Sequence, residues 1–149
     1  STEIYDFVAT DLPAAYSIQT ATLYSSPFFA EIAQHLDPSG VFVANLTSQF
    51  TLKDEVSRRI AAGLLENFKE VMVVTPESVG WSFAYVSDHL LFNRAAIEKA
   101  LRDSGEETFV IYETPAVRGI VADTRAITLD TMDIVLHVSW DWVKGRIER

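Results

Sequence analysis

Cysteine is missing from all 149 residues, which removes disulfides and thiolate metal sites. Basic residues are scarce: 12 Lys and Arg stand against 21 Asp and Glu, for a net charge of -9. That balance speaks against a phosphate-backbone binder, so no nucleic-acid partner is expected. An acidic surface ordinarily serves solubility, with attraction of cations as the alternative. No apolar run approaches the roughly 20 residues that span a bilayer, so no membrane partner is expected. No signal peptide is read in the sequence, and a cytoplasmic location is the default expectation.

Glycine is also thinly spread. Gly40, Gly63, Gly80, Gly105, Gly119 and Gly145 are never close enough to form G-x-G, and there is no P-loop. No cofactor-binding residues are therefore assigned. His35, His89 and His137 lie far apart, without H-E-x-x-H or similar spacing, so no metal ligands are assigned either. Asp88-His89 lacks a G-x-S-x-G elbow to serve it, which makes Ser-His-Asp chemistry a poor fit.

What the chain does have is core material: 48% of its residues are hydrophobic and 22% charged. That suits one folded domain over residues 1–149. Ile4 to Asp11 reads as a buried strand. Ser26-Pro27 opens a helix with Phe28, Phe29, Ile32, Ala33 and Leu36 at helical spacing. Asp37-Pro38-Ser39-Gly40 should end it and turn the chain into a second strand, "GVFVANL". Thr51 with Asp54 resembles a capping box for a helix running to about Asn67. "EVMVVTP" and "WSFAYVSD" follow as third and fourth strands. Their connection is too short for a parallel crossover, so these two should pair antiparallel.

The expected fold is thus α/β: a partial Rossmann-like sheet, mostly parallel, with an antiparallel terminal strand pair and helices on its faces. Asn93 to Asp103 reads as a helix and "TFVIYET" as a strand. Residues 117–125 are expected to be extended, and Asp130 to cap a last helix with Trp140 and Trp142 as packing residues. Lys53, Arg58, Arg59 and Lys69 read most simply as a solvated basic patch.

Asp11 ends the first strand. In open α/β sheets ligands bind outside the carboxyl ends of strands, so a carboxylate there can face a crevice and hold or deprotonate a cationic group. The alternative is a plain turn cap, for which Asp-x-Pro is well suited. The ordered set "YDFVATDLP…LYSSPFF…GVFVANL…NFKEV…P…GWSFAYVS" resembles the carboxyl-terminal half of spermidine synthases, the polyamine aminopropyltransferases, over residues 4 to about 90. The resemblance implies transfer of an aminopropyl group from decarboxylated S-adenosylmethionine to a diamine such as putrescine. It implies Asp11 as general base, and Tyr16 to Leu23 within a loop that closes over the substrates. Asn45 stands where the family often has a diamine-holding Gln. Tyr16, Tyr24, Asn45 and Trp81 are the candidate substrate-binding residues; Trp81 has packing as its alternative and Asn45 a turn role.

Two departures matter. The family's second acid, three residues after the first, is here Ala14, and Asn45 is shorter than Gln. The Gly-rich cofactor half and the amino-terminal hairpin are not found. With Ser1 rather than Met at the start, and a strand almost immediately, a cut or processed piece of a longer protein is expected. It should be inactive alone, with an exposed sheet edge inviting a homo-oligomeric partner or the missing amino-terminal half. The alternatives are a non-catalytic homologue acting as an interaction or dimerisation module, and a fragment of an S-adenosylmethionine-dependent methyltransferase.

Overall fold

The computed structural model describes residues 3–15, 17–130 and 135. Tyr16, Trp140, Trp142 and the body of the expected last helix lie outside them. The element order is β1 (Tyr5–Thr10), α1 (Ile18–Thr22), α2 (Ser26–His35), β2 (Leu36–Asn45), α3 (Glu55–Asn67), β3 (Glu70–Pro76), β4 (Phe83–Ser87), α4 (Arg94–Asp103), β5 (Phe109–Tyr112) and α5 (Thr114–Ile120). One five-stranded sheet runs β1-β2-β4-β3-β5.

β1 and β2 are parallel, and β4 is antiparallel to both β2 and β3. The short β3–β4 connection, with Gly80 at φ 75°, produces the expected antiparallel pair. β1, β2 and β3 therefore share one direction, as an α/β sheet should. The expectation of a mostly parallel sheet fails at the level of pairing. β4 folds back between β2 and β3, and β5 adds a further antiparallel strand beyond β3, so only β1–β2 is a parallel ladder.

The strands alternate their side chains between two apolar layers. Phe42, Ala44, Val71, Val73, Ala84 and Val86 face α2, α3 and α5 in the main core. Phe28, Phe29, Phe42 and Phe68 continue through it as tilted neighbours with centroids 6.0–6.1 Å apart. Met72, Val74 and Ile111 point the other way and meet Ile97 and Leu101 of α4. Helices thus lie on both faces, but the second layer does not reach β1. Tyr5 and Phe7 remain 45% and 62% exposed on the sheet's outer strand. Among the described residues no helix is long and apolar enough to cross a membrane.

Several local expectations change. Asp37-Pro38-Ser39-Gly40 does not separate helix from strand; β2 starts at Leu36, and these residues form an irregular stretch inside it. Two steps along β1 (Tyr5 to Phe7) match five steps along β2 (Leu36 to Val41). The Asp37 carboxylate accepts from the Ser39 N–H at 2.9 Å and its hydroxyl at 2.7 Å, and a Cβ on Gly40 would lie 3.0 Å from the Tyr5 and Asp37 carbonyl oxygens. A turn-type sequence therefore sits within a strand because it satisfies its own polar groups and lets β1 come close.

Asp54, not Thr51, caps α3 by accepting from the Ser57 N–H at 2.7 Å, while Thr51 closes the preceding turn. Residues 117–125 are not extended: Pro115 suits the first turn of α5, whose Val117 is fully buried against β3. The basic patch is solvated only in part: Lys53 and Lys69 are exposed, whereas the two arginines are engaged by the protein. Arg59 is buried, and Arg58 donates to the carbonyls of Ile120 and Leu52.

Candidate functional site

The parallel ladder builds the site. Thr10 pairs with Ala44, so Asp11, just past β1, and Asn45, the last residue of β2, lie at the same end of adjacent strands. The Asn45 amide Nδ2 donates to Asp11 Oδ1 at 3.3 Å, a long contact. The Asn45 Oδ1 accepts from the Thr47 N–H at 2.7 Å. A backbone N–H can only donate, so this bond fixes which end of the amide faces Asp11. Thr47 takes φ 65°, a strained value for a β-branched residue, to complete that turn.

Asn45 is buried while Asp11 is exposed. Among the described residues Asp11 has no cationic partner, and its second oxygen is left open. Such a carboxylate can accept a proton from an ammonium, or hold it, while Asn45 steadies the other oxygen.

Tyr24 follows α1, a short helix whose Ser17 and Thr20 cap each other. Its ring is 2% exposed in the main core, and its hydroxyl donates to the Leu12 carbonyl at 2.8 Å, with the Pro13 carbonyl at 3.1 Å. Burial, and then the nearby Asp11 charge, push the phenol pKa far above its ordinary value. Trp81 is 44% exposed just before β4. Ser82 holds it there: its carbonyl accepts from the Leu46 N–H at 2.8 Å, its N–H donates to the Ser48 carbonyl at 3.0 Å, and its hydroxyl accepts from the Phe50 N–H at 2.8 Å. Asp11, Asn45 and Trp81 therefore share one end of the sheet, with Trp81 two strands from Asp11, about 10 Å by strand spacing. Ala14 is half-buried and brings no carboxylate.

Sequence reasoning missed Thr47, whose main chain sets Asn45, and the Leu12 and Pro13 carbonyls that receive Tyr24. Main-chain atoms carry no residue-type signal; only "Asn-Leu-Thr" after a strand hinted at a local amide-to-backbone turn. A cavity of about 120 Å³ lies at the opposite end of the sheet, among Leu36, Asp37, Asn67, Phe68 and Asp88. Asp37 there is held below the usual carboxylate range by the Ser39 N–H and then its hydroxyl, and Asp88 is paired with Lys69 at 3.2 Å.

Tyr24 and Tyr85 are both raised above the ordinary tyrosine value of 10.0, each mainly by burial. The folded state thus keeps protons that the unfolded chain gives up. Their contribution is intact below the unfolded pKa and is lost as pH climbs beyond it. Denaturant melts should show stability falling as pH passes about 10, with a shallower fall in Tyr24→Phe; an identical slope in the variant would contradict the burial of this phenol.

Comparison with known proteins agrees with this architecture. A crystal structure of a probable spermidine synthase from Corynebacterium glutamicum ATCC 13032 superposes with a TM-score of 0.68 at 21% identity. The match covers 85% of this chain and 49% of that one, so the chain spans about half the length of its structural neighbour. At that identity the likeness establishes the fold, a Rossmann-like α/β arrangement. No curated protein matches the chain. The family model for the spermine/spermidine synthase domain matches residues 1–96, from β1 into α4. This chain belongs to the spermine/spermidine synthase family.

Proposed function

We propose that this chain supplies the amine side of an aminopropyl-transfer site, with a diamine such as putrescine as acceptor. An alkyl ammonium is almost wholly protonated at neutral pH, and only its neutral form is a nucleophile. Asp11 takes the proton; the amine nitrogen attacks the methylene carbon next to the sulfonium of decarboxylated S-adenosylmethionine. The C–N bond forms as the C–S bond breaks, and the bonding pair leaves on sulfur as a neutral thioether, 5′-methylthioadenosine. Much of the remaining gain comes from alignment of the three reacting atoms. The observation that carries this function is the open Asp11 oxygen at the end of β1, braced on its other side by Asn45. Trp81 borders the same strand end, and polyamine biosynthesis is the corresponding process.

The nucleoside side comes from a segment outside these residues. This is supported by the absence of a G-x-G turn among the six glycines and by the half-length match to the structural neighbour. That segment, or a second copy of the chain, covers the β1 edge. Exposed Tyr5 and Phe7 support such a partner, because an open strand with apolar side chains invites pairing. A non-catalytic interaction module is the second proposal, favoured by Ala14 at the place of the family's second acid.

Calorimetry separates the two. Putrescine should bind weakly, with a Kd on the order of 1 mM, and Asp11→Asn should weaken it by roughly tenfold or more. 5′-Methylthioadenosine should not bind, and the chain alone should show no aminopropyl transfer above background. Failure of putrescine to bind favours the module. Sedimentation at low micromolar concentration should show a dimer if a second copy covers the edge; a clean monomer contradicts self-pairing.

A further inference from the structure

The Tyr24 phenol is buried, which pushes its pKa up, where a Phe ring would fill the same space without a hydroxyl to satisfy. Its proton goes to the backbone of the two residues that follow Asp11. Pro13 already restricts Leu12 to extended conformations, so one anchor on their carbonyls is enough to fix the path of Asp11-Leu12-Pro13. On the other side, Thr47 fixes the Asn45 amide. Both members of the Asp11–Asn45 contact are thus held from behind, by hydrogen bonds that use neither oxygen of the carboxylate.

We propose that Tyr24 is a positioning residue for Asp11: its hydroxyl latches the turn after β1 and keeps the carboxylate against the Asn45 amide with one oxygen free. This deepens the amine-binding proposal above and rests on it only for the purpose of the carboxylate; the latch is a property of the chain without ligand. Tyr24 acts through the backbone, from the core, and its hydroxyl is already engaged. A shift of its pKa far above 10.0 keeps the donor proton in place throughout the range in which an amine substrate would react.

The Asn45 side-chain amide reports on the latch by nuclear magnetic resonance. In the unmodified chain its NH2 signals should move as the Asp11 carboxyl takes up a proton, and this response should vanish in Asp11→Asn. In Tyr24→Phe, whose ring still fills the core, the amplitude should fall by roughly half or more; a full response there overturns the proposal. A measurement without any variant guards against poor folding. Order parameters at the Asp11 and Leu12 amides should match β1, near 0.85, and values below about 0.6 overturn the latch. Added putrescine tests the other proposal separately: signals of Asp11 and Asn45 that do not respond contradict diamine binding, whatever Tyr24→Phe does.

Discussion

The parallel β1–β2 ladder is the constraint on which the site depends. Its register, from Phe7 with Val41 to Thr10 with Ala44, delivers Asp11 and Asn45 to the same end of neighbouring strands although they are 34 residues apart. A slip of one residue would send the side chains of β1 to the opposite faces and separate carboxylate from amide. The irregular Asp37–Gly40 stretch lies at the start of that ladder, so the excess of residues in β2 is absorbed before the regular pairing begins.

Packing holds the ladder on one face more firmly than on the other. Val8 packs on the main core beside the Phe42 layer, and Tyr24 reaches from that same core to the turn beyond β1. On the outer face Tyr5 and Phe7 stay open. The end of β1 is therefore better fixed than its edge. The cavity at the far end of the sheet shares none of these residues, and its acids are already satisfied by Ser39 and Lys69.

Much of this was legible in the sequence because it rests on local chemistry. The Ser26-Pro27 start of α2 (capped by Ser25 rather than Ser26), the strand "EVMVVTP", the Phe83–Ser87 part of "WSFAYVSD", and the antiparallel pairing of these strands follow from capping, β-branched runs and a short connection. Asp11 at a strand exit was legible too, through the ordered motif set. What escaped depended on long-range pairing. No local signal says that β4 inserts between β2 and β3, or that Asp-Pro-Ser-Gly runs inside a strand. Residues 117–125 contain Val117, Ile120 and Val121, which fit an extended run as well as a helical face until β3 packs against them. Tyr24 stood out in the sequence by its place in a motif, as a substrate-binding candidate; its link to Leu12 and Pro13 was not legible, since the acceptors are carbonyls.

The most direct measurement is a crystal structure of the chain with putrescine bound. The account predicts an ammonium nitrogen about 3 Å from the free Asp11 oxygen, with the Asn45 amide still on the other. Putrescine seated instead between Asp37 and Asp88, with Asp11 untouched, would contradict it.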